Sequence, residues 1–236
     1  MPRVIAVDGP AASGKSSTAQ AVARRLGWAH LDSGALYRAL TLATLDNTRE
    51  AGSGTRDAWS GQKIVALAEE LPVRLVLVGD VFRPEVAGVA VEEAIRSDRV
   101  TRRVSEIAAI PDVRRWVNAR QREAVQRHPT GVVVDGRDIG TVVFPDALLK
   151  VFLTASAAER ARRRLAQQGK GGRGGASPDE LEREANALAT RDSADSSRTV
   201  APLKPASDAV LIDTTTVSLD EQVARVVALA RQRLPD

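Results

Sequence analysis

Apolar positions in this chain gather into short solid runs. Val4–Val7, Ala29–Leu31, Val132–Val134, Leu148–Leu153 and Val210–Ile212 are rich in Val, Leu and Ile, and most are bounded by Asp or Gly. Unbroken runs of this kind predict strands covered on both faces. Between them lie stretches that predict helices over Thr18–Leu26, Gly34–Leu45, Asp112–Arg127, Ala157–Gln168, Pro178–Arg191 and Leu219–Leu234. Ser218, with Glu221 three residues on, marks the start of the last helix. Strand–helix alternation predicts an α/β fold with a parallel sheet and helices on both faces.

Two segments break the alternation. Val73–Val91 alternates with period two, and Gly79-Asp80 and Arg83-Pro84 supply turn signals, so it predicts a small antiparallel insertion. Gln167–Ser177 (QQGKGGRGGAS) is glycine-rich and basic, which predicts a flexible loop between charged helices. Val200–Pro205 is expected to be an extended connector, and Gly52–Gly61 a polar surface stretch without assignable chemistry.

Composition narrows the class. A chain of 236 residues suits one generous domain. Hydrophobic residues make up 43% but aromatics only 3%, so the core must be aliphatic. No apolar run approaches membrane-spanning length, and the first strand starts almost at once, so a soluble cytoplasmic protein without a signal peptide is expected. The absence of cysteine excludes disulfides and thiolate metal sites. The net charge is +4, and arginine far outnumbers lysine. With acids interleaved and few aromatic platforms, convergence of arginines on small-ligand phosphates is a better reading than a nucleic-acid surface.

The chemistry starts at Gly9-Pro10-Ala11-Ala12-Ser13-Gly14-Lys15-Ser16-Ser17, between the first strand and first helix. This is the strand–loop–helix setting of a phosphate-binding loop. Its backbone N–H groups and the helix N-terminus would hold a nucleoside triphosphate. Lys15 would reach the β- and γ-phosphates, and Ser16 would ligate Mg²⁺. Three further clusters follow. Asp32, Ser33 and Arg38 sit where the second strand passes into a helix, able to cap it, to meet a ligand, or both. Asp135, Arg137 and Asp138 close the Val132–Val134 strand, where Asp135 suits Mg²⁺ or its waters, Arg137 a phosphate and Asp138 a base edge. Arg160, Arg162, Arg163 and Arg164 lead into the glycine-rich stretch, and Arg191, Asp195 and Arg198 follow it at helical spacing. A lid closing over a transferring phosphoryl group accounts for this set better than a solvated face. His30 and His128 are the only histidines and form no base constellation. Phosphoryl transfer to a phosphate acceptor needs none.

With those motifs in place, the chain resembles the bacterial cytidylate kinases, nucleoside monophosphate kinases of the phosphate-loop class. The resemblance spans nearly the whole chain. It rests on GPAASGKS at Gly9, LDSGALYR at Leu31, IPDVR at Ile110, VDGRDIGTVVFPDA at Val133 and RDSADSSR at Arg191 running into VAPL. It implies a three-layer P-loop fold with a five-stranded parallel sheet, a β insertion and a glycine-rich lid. One domain over 1–236 would divide into a core (1–71, 128–160, 199–236), a monophosphate-binding region (72–127) and a lid region (161–198). The implied reaction is Mg²⁺-assisted transfer from ATP to CMP or dCMP. The alternatives are a kinase for another small acceptor or a nucleotide-binding protein acting on RNA.

The resemblance also implies roles. Gly9 to Ser17 would hold ATP, with Ser16 and Asp135 at the metal. Arg38 and Arg137 would grip the monophosphate's phosphate. Ser105, Arg114 and Asp138 would read cytosine. Asp32, Ser33, Arg191, Asp195 and Arg198 would complete the nucleotide site, and Lys15, Arg137, Arg160, Arg164 and Arg198 would stabilise the transferring group, with Arg163 beside them. Partners would be CMP, dCMP and ATP alone, with no nucleic acid or membrane, and the protein a monomer. KGGRGG at Lys170–Gly175 is richer in glycine than the family leads one to expect, and Ser193-Ala194 stands where charged residues would be unsurprising.

Overall fold

The computed structural model describes residues 3–47, 60–169 and 176–234. In chain order its elements are β1 (Arg3–Asp8), α1 (Lys15–Leu26), β2 (Ala29–Asp32), α2 (Ser33–Asn47), α3 (Gly61–Glu70), β3 (Val73–Val78), β4 (Val81–Val86) and β5 (Val89–Ala90). After a 3₁₀ turn at Ala94–Arg96 come α4 (Asp98–Ala109), α5 (Pro111–Gln126) and β6 (Gly131–Gly136). A π-helical turn at Ile139–Val143 precedes β7 (Leu149–Thr154), α6 (Ala157–Gln167), α7 (Pro178–Ser196), β8 (Val210–Asp213) and α8 (Leu219–Arg231). The chain forms two compact units, named here for their place in the sequence: a middle unit, Trp28–Val132, and a terminal unit, Arg3–Gly27 with Val133–Asp236.

In the terminal unit the strand order is β6-β1-β7-β8. β1 runs parallel to β7 from Ile5↔Leu149 to Asp8↔Phe152, and β7 runs parallel to β8 from Val151↔Val210 to Thr154↔Asp213. Val133 and Val134 of β6 are fully buried, as their unbroken apolar run requires. Helix α1 packs on α8, and α6 on α7. The predicted start of α8 is borne out: Ser218 and Glu221 form a reciprocal capping box. Helix α7 extends beyond the expected Arg191 to Ser196, and its first turn is fixed by a second capping box, Ser177 with Glu180.

The middle unit carries the antiparallel insertion, as predicted. β3 pairs antiparallel with β4 from Val73↔Val86 to Val78↔Val81, and β5 adds to β4. The insertion is not detached, since β4 lies parallel to β2 through His30↔Val81 and Leu31↔Phe82. Helices α3 and α4 fall where the sequence reading had none. In α4 the buried Val100, Val104, Ile107 and Ala108 recur at helical spacing, but arginines and acids dilute the pattern. Leu36, Leu40, Ile64, Ile95, Ile107 and Val117 anchor the core of this unit. Trp28 lies so close to Gly131 that a Cβ there would stand 2.3 Å from the indole ring. Trp116 of α5 is buried and its Nε1 donates to Glu69 at 2.5 Å.

Candidate active site

The terminal unit builds the phosphate loop by backbone geometry. Gly9 has φ of 153°, and a Cβ would stand 2.3 Å from the Leu153 carbonyl oxygen. Gly14 caps α1 at φ 89° with no side chain on the helix's first amides, which leaves them for an anion. Lys15 is buried and its Nζ donates to the Pro10 carbonyl at 2.9 Å, folding the ammonium over the loop. The loop is held from behind. Thr214 Oγ1 donates to the Ser13 carbonyl at 3.1 Å, and Thr18 Oγ1 donates to Gln222 Oε1 at 2.9 Å.

Two buried carboxylates flank the loop. Ser16 Oγ donates to Asp135 Oδ2 at 2.5 Å, so the two expected metal residues stand together. Asp8, the last residue of β1, accepts the Ile139 N–H at 2.9 Å and the Gly140 N–H at 2.8 Å. Burial, its largest influence, pushes the Asp8 carboxyl up to about 6, with the Asp138 charge acting the same way and the two amides and Lys15 against it. Asp8 was absent from the predicted site. The signal was an acid ending the first strand directly before Gly9.

The arginines of α6 and α7 converge on two acids. Asp195, almost fully buried, takes Arg137 Nε on Oδ2 at 3.0 Å and Arg198 Nη2 on Oδ1. Arg198 lies just past the end of α7, yet closes this cluster as its spacing from Asp195 predicted. Asp192 Oδ1 accepts the Ala11 N–H at 3.0 Å, while its Oδ2 accepts from Arg160, which also reaches the Ala11 carbonyl at 3.2 Å. Arg163 is committed to structure: it donates to Glu159 at 2.9 Å and to Thr214 Oγ1 at 3.0 Å. Arg191 is held below the usual arginine value, chiefly by burial and next by the Arg137 charge. Arg164 adds to that positive field. The Lys170–Gly175 stretch expected to act as the lid lies outside the described residues, as do positions 52–59 of the polar stretch.

The middle unit holds a second polar cluster. Asp32 Oδ1 accepts the Gly34 N–H at 2.9 Å, the expected cap of α2, and its Oδ2 lies 3.7 Å from Arg96. Arg38 donates to the Ile95 carbonyl at 3.1 Å and to Thr101 Oγ1 at 2.9 Å. Arg114 is buried, donates to the Ala108 carbonyl at 2.9 Å and sits 5.6 Å over the Tyr37 ring. Ser105 is on α4. Gln121, fully buried, donates to the Ser33 carbonyl at 3.1 Å, and its Oε1 has no hydrogen-bond partner. Tyr37, Asn118 and Gln121 were missed. Arg114, Asn118 and Gln121 share one face of α5 at helical spacing, a polar stripe that could have been found.

The structure thus groups Ser33, Arg38, Ser105 and Arg114 in the middle unit. It groups the loop, Asp135, Arg137, Asp138, Arg191, Asp195 and Arg198 in the terminal unit. Among the described residues no helix is long and apolar enough to cross a membrane.

Comparison with known proteins extends these observations. The family model described as Cytidylate kinase matches residues 5–232. A cytidylate kinase of Pectobacterium carotovorum subsp. carotovorum is 43% identical over 235 residues, covering 99% of this chain and 98% of that one. One from Pseudomonas fluorescens strain Pf0-1 is 45% identical over 227 residues, covering 95% and 93%. One from Aeromonas salmonicida is 42% identical over 237 residues, covering 100% and 97%.

Proposed function

This chain belongs to the cytidylate kinase family, and from that premise we propose that it transfers the γ-phosphoryl group of ATP to CMP and dCMP. The observation that carries the reading is the family match over residues 5–232.

The loop's amides and the uncapped end of α1 are an anion cradle, suited to the phosphates of ATP. Lys15 leaves the Pro10 carbonyl for those phosphates, exchanging a neutral acceptor for a charged one. Arg137 holds the acceptor phosphate in line, and Arg160, Arg164 and Arg198 neutralise charge as it spreads over the transferring oxygens. The acceptor is already a phosphate anion, so no general base is called for. In the middle unit, Arg38 serves the acceptor's phosphate, while Arg114 and Ser105 donate to the ring acceptors of cytosine. In the terminal unit, Asp138 accepts from the exocyclic amine. Ser33, Arg191 and Asp195 serve the sugar, and Asp32 belongs to the same substrate site.

Magnesium fits the donor set. A serine hydroxyl 2.5 Å from a buried carboxylate offers hard oxygens for an ion that keeps several waters. Ser16 and Asp135 would hold the ion, which would supply Lewis-acid stabilisation of phosphate charge there.

Uracil reverses the donor pattern that Asp138, Arg114 and Ser105 read, leaving polar groups unpaired. ADP formation measured across CMP, dCMP, UMP, AMP and dTMP tests the reading. CMP and dCMP are expected to lead by far, and comparable turnover of UMP would overturn the base assignment.

A further inference from the structure

Asp8 lies outside the motifs that handle the two nucleotides, yet its bonds join them. It ends β1 one residue before Gly9 and is 5% exposed. Each of its oxygens takes one amide, Oδ1 that of Ile139 and Oδ2 that of Gly140. Those amides open the π-helical turn that follows Arg137 and Asp138 directly. The turn closes back on Asp138, whose carbonyl accepts from Val142 at 2.9 Å and from Val143 at 3.2 Å. The segment bearing Arg137 and Asp138 is therefore pinned at the root of the phosphate loop by one carboxylate.

We propose that Asp8 is a positioning residue for acceptor recognition. It sets the placement of Arg137 and Asp138 through the Ile139 and Gly140 amides, in register with the loop that binds ATP. The proposal rests on the reading of Arg137 and Asp138 as CMP-handling residues. A packing role would be met by an apolar side chain, without the cost of burying a charge. Two acceptor oxygens at this spot are useful only if both amides must be held. Burial pushes the carboxyl up to about 6, which still leaves it ionised, with both oxygens accepting, near neutral pH. An asparagine there has one acceptor and turns an NH₂ toward the second amide, so one bond is lost and a donor faces a donor.

The test compares Asp8→Asn and Asp8→Ala with the parent in steady-state kinetics, with folding checked by thermal melting. The apparent KM for CMP is expected to rise roughly ten-fold, the loss of one such bond. The preference for CMP over UMP falls, while the KM for ATP stays within about two-fold. Equal movement of both KM values, or of neither, overturns the proposal. Arg137→Ala and Asp138→Ala run alongside. If they leave the KM for CMP and base preference unchanged, the reading of the turn fails and the clamp falls with it. If they shift CMP handling and the Asp8 variants do not, the clamp alone fails. Should neither Asp8 variant fold, amide exchange in the parent decides. Ile139 and Gly140 protons slowed further by CMP support the clamp, and protons indifferent to CMP overturn it.

Discussion

Helices α2, α4 and α5 of the middle unit are held by aliphatic contact, whereas α7 of the terminal unit is held by charge. Most of α2 is buried, from Ala35 and Leu36 through Leu40 to Ala43. In α7, a longer helix, only Leu188 and Asp195 are buried. Helix α7 is attached through Asp192 to Ala11 and Arg160, and through Asp195 to Arg137 and Arg198. Apolar contact is non-directional and holds without a ligand. Charge pairs can be exchanged, because a phosphate takes an arginine's donors in the same two-bond geometry as a carboxylate. Helix α7 is therefore held by contacts that a competing anion can exchange, and α2 by contacts that it cannot.

That contrast yields an ordered set of expectations. The largest concerns Lys15→Ala, which should cut turnover roughly 10²–10³-fold, as loss of one preorganised charge donor does. The melting temperature should barely move, and near-full turnover would break the functional side of the contrast. Next, Leu40→Ala in the middle unit should cost about 3 kcal/mol of stability in denaturant unfolding. The folded fraction should keep its KM for ATP, and loss of activity without loss of stability would reverse the division.

The third expectation concerns Asp8, a charge buried for a purpose. Its folded value of about 6 lies above the usual carboxylate range, so the folded state binds the extra proton. Its contribution to stability is full below about pH 4 and declines as pH rises toward 6, by about 3 kcal/mol over that span. Asp8→Asn should remove this decline from a plot of melting temperature against pH, and an unchanged slope would refute it. The smallest effect is Ser177→Ala at the start of α7. Loss of that cap should cost about 1 kcal/mol and speed amide exchange in α7 more than elsewhere. Uniform change across both units would show α7 to be as firmly rooted as α2.

The sequence made some parts of this molecule far plainer than others. β1, β2, β6, β7 and β8 were readable because each is a short aliphatic run with both faces covered. The phosphate loop was readable because Gly9 and Gly14 are demanded by backbone geometry that other residues resist. Helix α4 escaped because Arg102, Arg103 and Glu106 are interspersed with its buried valines. Asp8 and Asp192 escaped for a different reason. Their partners are the backbone amides of Ile139, Gly140 and Ala11, and an amide leaves no trace in residue identity. The Ser16–Asp135 pairing was anticipated from the chemistry of both residues, though 119 positions separate them.

The placement of Trp28 against Gly131, and of Trp116 on α5, has an optical consequence. All three tryptophans of the chain, Trp28, Trp59 and Trp116, fall within the sequence span of the middle unit. Ultraviolet emission excited at the red edge therefore comes from that half of the sequence, and the Gly9–Ser17 loop carries no emitter. A nucleotide that shifts this emission has altered the surroundings of one of these three side chains.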